Sequence, residues 1–240
     1  MRSDRMLLPA GPVRNRLLAH LPAAAFAELS PHLRRVRLHR RQVLQEINTR
    51  ISSVYFLECG VAVLLARSGG RQVGVGVVGR LGLVGVPAVL GTMYAPNRCI
   101  MEIEGEALQL DCENLNLAMD RRPPIRRLLL RYVQALLVQN SQTVLCNVRH
   151  ELEERLARWL LLARDRLDDN VIPLTHDLFS MMLGVRRASV TEALAALEAS
   201  GALKRHHKAV EIQDRTILET RVCDCYRIIA AEYRRLLDPL

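Results

Sequence analysis

The chain has 240 residues, half of them hydrophobic, which is ample for one or two cores, yet only 4% aromatic, so aliphatic packing must carry its stability. Its 34 Lys and Arg against 25 Asp and Glu give a formal charge of +9, which favours a polyanionic partner without saying which. No apolar run reaches the ~20 residues of a membrane helix, because arginines interrupt every candidate, and the first residues lack the apolar core of a secretory signal, so a cytoplasmic location is expected.

From Asn15 to His32 the pattern reads as short helices, with Pro22 and Pro31 marking their starts or stops. From Arg35 the period changes. VRLHRRQVL, VYFLECGVAVLLA, QVGVGVVG and CIMEIEGEALQLD are β-branched, alternating or continuously apolar, with Gly, Asn and Ser turns between them, and they end near Asp111. Short strands at such even spacing predict a small antiparallel barrel or jelly roll.

A helical stretch then runs from about Cys112, breaks at Pro123-Pro124 and continues to about Arg149. Leu130, Val133, Leu137, Asn140, Val144 and Asn147 lie alternately three and four apart, a seam that calls for a partner helix, with Asn140 as the polar residue that sets register. The expectation is a dimer interface through Leu130, Val133, Leu137, Asn140 and Val144; the alternative is a helix lying over its own barrel. A second helix begins at His150, with Leu152, Leu156, Trp159, Leu160 and Ala163 as its inner stripe, which makes Val148 to His150 the expected hinge.

The stretch from Leu174 to Gly201 reads as a helix-turn-helix. Thr175 offers a hydroxyl cap, Leu178, Met181 and Met182 form an inner face, and Gly184 supplies a tight turn. Val190, Leu194 and Leu197 define the inner stripe of a second helix, predicted from Arg187 to Ala199, whose wet side begins with Arg186, Arg187, Ser189 and Glu192. The first turn of such a helix is the part that reaches base edges, and an arginine fork matches the two acceptors of guanine. An ordinary helical hairpin with solvated arginines is the bland alternative. After Gly201, ALKRHHKAVEI places two apolar edges around a basic tip of Lys204, Arg205, His206, His207 and Lys208, the shape of a wing that lies along phosphates. Residues 171–240 hold ten basic and nine acidic side chains, so these are local basic spots on a nearly neutral unit. TILETRVCDCYRIIAAEYRRLL closes the chain as one amphipathic helix.

Six cysteines, Cys59, Cys99, Cys112, Cys146, Cys223 and Cys225, show no zinc-like spacing, and two residues apart on a helix Cys223 and Cys225 would point about 200° away from each other. Buried free thiols, no metal site and no cofactor are therefore expected. Catalytic residues are expected to be absent too, since neither a nucleophile elbow nor carboxylates paired with a base are found.

Barrel, long dimer-type helix, hinge and winged helix-turn-helix in this order resemble the cyclic AMP receptor protein and fumarate-nitrate regulator (Crp/Fnr) family of transcription factors. LTHDLFSMMLGVRRASVTEALAALEASGAL carries most of the resemblance, and GRLGLVG at residues 79–85 is similar to the family's glycine-bounded turn for a cyclic phosphate. The resemblance implies an α+β chain with a cyclic-nucleotide-binding-like β-barrel (jelly roll) over 15–119, a dimerisation helix and hinge over 120–149, and a winged helix-turn-helix DNA-binding domain with an extra C-terminal helix over 150–240. DNA contacts are expected from Thr175, Arg186, Arg187, Ser189, Glu192, Arg205, His206, His207 and Lys208. Its implied partners are double-stranded DNA and a second copy of the chain, with RNA polymerase an open third. A nucleotide-binding module that acts on a protein partner is the competing class.

Where the family's cyclic-nucleotide members carry a ribose-binding glutamate after the first glycine, this chain has Arg80, and the phosphate-gripping pair falls at Arg98-Cys99 only if a longer loop is accepted. An effector pocket built on Gly79, Arg80, Gly82, Arg98, Cys99, Asn140 and Ser141 would lack the ribose contact, and Arg98 also reads as a solvated loop arginine. Leu81, Leu83, Val84, Val86, Val89 and Leu90 make the region apolar, so the expectation is a pocket filled by side chains, with an altered anionic or apolar effector as the alternative. Cysteines of the iron–sulfur branch are missing from the start of the chain, and no histidine pattern marks a haem ligand, though haem stays open.

Overall fold

The computed structural model describes residues 12–237. Asn15 opens helix α1 (Arg16–Ala19) by accepting a hydrogen bond from Leu18 N–H, and Pro22 precedes α2 (Ala23–Leu29), which runs into a single 3-10 turn, Ser30–His32. The strands follow: β1 (Arg34–Leu38), β2 (Val43–Gln45), β3 (Ser53–Leu57), β4 (Val61–Ser68), β5 (Arg71–Val78) and β6 (Leu83–Val84). A short helix α3 (Val86–Val89) separates these from β7 (Arg98–Ile103) and β8 (Gly105–Asp111). Two antiparallel four-stranded sheets result, ordered β1-β8-β3-β6 and β2-β7-β4-β5. They stay separate, so the unit is a jelly-roll sandwich of two open sheets rather than a closed barrel.

Helix α4 (Cys112–Arg121) stops at Arg122, whose extended backbone (φ −129°, ψ 88°) is what a residue before proline adopts. Helix α5 (Pro123–Arg149) then spans 27 residues. It buries Ile125, Leu129, Tyr132, Val133, Leu136, Gln139, Thr143 and Cys146 within its own chain, while Leu130, Leu137, Val144, Leu145 and Val148 remain exposed. This divides the expected seam. Val133 packs inward and Asn140 is only half-buried beside Gly76, so neither belongs with the outward row of Leu130, Leu137 and Val144, which repeats every seven residues.

His150 leaves α5 in extended conformation (φ −114°, ψ 149°), and α6 (Leu152–Arg164) starts at once, its Glu154 carboxylate accepting from Glu151 N–H at 2.9 Å. The expected single inner stripe on α6 understates its burial. Every residue from Leu156 to Ala163 is buried, Arg158 included, as befits a helix surrounded by packing partners. β9 (Val171–Ile172), α7 (His176–Leu183), α8 (Arg187–Ala199), β10 (Leu203–His206) and β11 (Ala209–Ile212) complete the helix-turn-helix and wing, with β9 joining the wing as a third strand. The chain ends in two helices, not the single one expected: α9 (Arg215–Thr220) and α10 (Asp224–Leu237) are broken at Arg221–Cys223. Cys223 therefore lies outside the helix that carries Cys225, and the argument that the two thiols must diverge fails.

One contiguous apolar core runs from Leu17 through the sandwich and α5 to Leu237, so the sensor-type unit and the helix-turn-helix unit are packed as one body. Arg166 sits at the joint. It is 1% exposed, donates to Leu162 O at 2.7 Å and to Gln139 Oε1 at 2.9 Å, and lies 5.4 Å from the centre of the Tyr233 ring. No helix of the described residues is long and apolar enough to cross a membrane.

Candidate functional site

Thr175 caps α7, its hydroxyl accepting from Leu178 N–H at 3.3 Å, so this side chain is spent on the helix start. Gly184 ends the helix at φ +66°, a left-handed conformation that side-chain-bearing residues reach at a cost, and turns the chain into α8. Arg186, in extended conformation, precedes α8, and no side chain caps the first turn. The first turn thus keeps its free N–H groups, which favour anions, and Arg186, Arg187 and Glu192 are exposed at and near it. Ser189 is half-buried beside them. Arg187 makes an ion pair with Asp177 at 3.2 Å, but both side chains are about 70% exposed, at 67% and 72%. Such a pair is worth less than about 1 kcal/mol, so Arg187 is available to a stronger acceptor.

On the wing the expected cations divide. Arg205 is held by Glu198 through its backbone N–H at 2.8 Å and its Nε at 2.6 Å, and these bonds keep the Glu198 carboxyl below its usual range. His206 lies 2.7 Å from Glu211. His207 and Lys208 are exposed at the tip, with Lys208 in the left-handed region at φ 62°. His207 and Lys208, with Lys204 on β10, are the wing groups best placed to meet phosphates.

Between the sandwich and α5 lies a cavity of about 260 Å³, lined by residues that include Leu83, Val86, Leu90, Val133, Gln45 and Asn140. The apolar turn thus lines a cavity rather than filling it, which corrects the expectation of a filled pocket. Of the seven expected effector residues, only Asn140 reaches this lining. Arg80 turns away to pair with Asp168 and to donate to Leu167 O, beside Arg14, which pairs with the same carboxylate. Both arginines hold the Asp168 carboxyl below its usual range. Arg98 pairs with Glu46 at 3.1 Å, Cys99 is fully buried between the sheets, and Ser141 is exposed on α5. The glycines have a packing role instead. A Cβ on Gly82 would stand 2.4 Å from the Tyr132 ring, and one on Gly79 would stand 2.6 Å from Arg166, so the turn is glycine-bounded to let α5 and the end of α6 close on it.

At the far end of α5 lies a group that sequence reasoning missed. Cys146, His150, Cys223 and Cys225 converge, and the Cys146 thiol is held below its usual range by its bond with Cys223, with help from the nearby Arg158 guanidinium against the opposing effect of burial. The same bond pushes the Cys223 thiol up. The available signal was Cys146 and His150 four apart on one helical face, with a second pair at Cys223 and Cys225.

Residues 154–221 match the family described as the Crp-like helix-turn-helix domain. The C-terminal unit is thus a Crp-like helix-turn-helix domain. Within it α8 is the second helix of the motif. The fold of the chain is similar to that of FixK2 from Bradyrhizobium japonicum, at 17% identity over 80% of this chain and 98% of that one, with a TM-score of 0.69. The c-di-GMP-responsive global regulator CLP of Xanthomonas campestris is 16% identical over 80% of this chain and all of its own, with a TM-score of 0.65. A CRP-family transcriptional regulator from Thermus thermophilus is 20% identical over 78% of this chain and 95% of its own, with a TM-score of 0.62. At these identities the likeness is one of fold. Among curated proteins none matches the sequence.

Proposed function

We propose that this chain is a DNA-binding transcription regulator of the Crp/Fnr family that acts in the cytoplasm as a homodimer, reads a palindromic operator through α8, and does so without a cyclic nucleotide. The reading of DNA rests above all on the uncapped, exposed start of α8, where Arg186, Arg187 and Glu192 stand on the face that the core leaves to solvent. Two-fold symmetry would space the half-sites by about one helical turn, ~34 Å. Arginine suits guanine, and Glu192 can accept from the amino group of cytosine. Arg187→Ala is expected to lose about 1–3 kcal/mol on the preferred operator and to relax one base position, whereas Lys208→Ala weakens all sequences alike. Gel shifts on the operator and on random DNA at two salt concentrations separate the two. Equal losses from Arg187→Ala on both DNAs would remove Arg187 from sequence reading.

The cavity argues against a cyclic nucleotide on two counts. At about 260 Å³ it falls just below the ~300–1,000 Å³ of ordinary ligand pockets, and no charged side chain among the described residues lines it, so a phosphate would be buried without a counter-charge. Gln45 Oε1 and Asn140 Oδ1 are buried without a hydrogen-bond partner among the described residues, which suits a small, mainly apolar ligand with a donor group. Calorimetry with cyclic AMP is expected to show no micromolar binding, with operator affinity unchanged by its addition. A micromolar dissociation constant that Arg98→Ala abolishes would show that the pocket rearranges around Arg98 and would overturn this reading.

A further inference from the structure

Two segments far apart in sequence bring four metal-ligating side chains to one point. Cys146 lies in the last turns of α5, His150 at the α5–α6 junction, Cys223 in the turn before α10 and Cys225 in its first turn. Their ligand atoms all lie within 4.8 Å of one another. Cys146 Sγ is 3.5 Å from Cys223 Sγ, and Cys225 Sγ is 3.6 Å from His150 Nδ1. Tetrahedral zinc, with Zn–S near 2.3 Å and Zn–N near 2.0 Å, requires its ligand atoms to be about 3.5–3.8 Å apart. The cluster is thus already close to the size of that ion's coordination shell, with all three cysteines buried.

The second observation is independent of these distances. Arg158 is 2% exposed and has no carboxylate partner among the described residues; it donates Nε–H to Cys146 Sγ at 3.3 Å and Nη1–H to Thr143 Oγ1 at 3.3 Å. A buried guanidinium needs a counter-charge. Three thiolates around a divalent cation carry one surplus negative charge, which this arginine cancels, and the hydrogen bond to Cys146 is of the kind by which neighbouring groups orient and tune metal ligands. Neutral thiols would leave Arg158 uncompensated.

We propose that Cys146, His150, Cys223 and Cys225 form a mononuclear site for a thiophilic divalent cation of the zinc class, with Arg158 as its charge-balancing neighbour. Three cysteines and one histidine give a closed ligand set, the structural rather than the catalytic kind, and thiolate-rich tetrahedral sites select zinc over oxygen-seeking cations. Bound there, the cation fastens the junction at His150 to the start of α10, and so sets the angle at which α6 and the helix-turn-helix leave the long helix.

The test uses the full-length protein purified under reducing conditions, with metal content measured by mass spectrometry and the exchanged cobalt(II) form examined by absorption. One zinc per chain is expected, with the intense ligand-field and thiolate-to-cobalt bands of tetrahedral coordination. Cys225→Ser and His150→Ala should each abolish retention of zinc through gel filtration and the tetrahedral bands. Arg158→Met, which keeps all four ligands, should weaken zinc binding about 10–100-fold. Circular dichroism shows which variants are folded; should Cys225→Ser fail to fold, Arg158→Met and hydrogen exchange of residues 146–152 in wild type with and without chelator carry the test, exchange being expected to rise on metal removal. Zinc content of the wild type no higher than that of a folded Cys225→Ser variant would overturn the proposal, as would octahedral cobalt spectra, or a Cys146–Cys223 disulfide that persists, with no metal bound, in the protein purified under reducing conditions.

Discussion

Leu137→Glu is expected to turn a dimer into a monomer at micromolar concentration. Leu137 is 57% exposed in the isolated chain, midway along an outward row with Leu130 at 43% and Val144 at 66%. These aliphatic side chains, at seven-residue spacing on a helix of 27 residues, are left largely uncovered among the described residues, and a second copy of α5 offers the complementary row. A glutamate there would meet its own symmetry mate in a low-dielectric contact, which costs several kcal/mol. Every 1.4 kcal/mol is a factor of ten in the dissociation constant, so the variant's dimer should weaken by about a thousandfold. Leu137→Met, similar in volume, should leave the dimer intact. Because Leu137 contributes little to its own chain's core, the glutamate variant should keep its helical content and melt cooperatively while losing tight binding to a two-half-site operator. Sedimentation that finds the wild type monomeric, or the variant still dimeric, assigns the contact to another face.

The second large effect concerns the joint at Arg166, and its sign depends on which partner is removed. Gln139 accepts from Arg166 through Oε1 and donates to Val77 O at 3.2 Å, thereby linking α5, the end of α6 and the sandwich. Gln139→Leu leaves the buried guanidinium with one fewer acceptor and should cost about 1.5–3 kcal/mol, the range for a hydrogen bond to a charged group. Arg166→Met removes the charge together with its desolvation penalty, and a packed apolar replacement for a buried charge is commonly near neutral. In the double variant the glutamine no longer has a charge to serve, so the two changes should be non-additive by about 0.5–3 kcal/mol. Urea unfolding checks this through a single transition, as expected for one core spanning both units. If Gln139→Leu proved as mild as Arg166→Met, the joint would owe its stability to packing alone.

Much of the helix-turn-helix unit was legible because its signals are local. The Thr175 cap, the Gly184 turn, the spacing of Val190, Leu194 and Leu197, and the basic residues between two apolar edges each depend on neighbours within a few positions. The sensor site was less legible. Arg80 and Arg98 read as anion ligands from their places in the chain, yet Asp168 and Glu46 claim them, and these carboxylates lie 88 and 52 residues away in sequence. The same holds for the glycines at 79 and 82, whose function is the close approach of Arg166 and Tyr132.

By itself the sequence determined the order of sandwich, long helix and winged helix-turn-helix, and the break before Pro123, since periodicity, caps and proline sterics act over one or two turns of chain. Only the tertiary structure decided which edge of the α5 seam faces outward. Residues three and four apart share one broad stripe, and packing of α5 on the sandwich, with Asn140 beside Gly76 of β5, draws Val133 and Asn140 inward while leaving Leu130, Leu137 and Val144 outside. It likewise decided the fate of the cysteines. A break between α9 and α10 and the packing of α10 along α5 carry Cys223 across 77 positions to Cys146, a long-range closure that no spacing within either segment encodes.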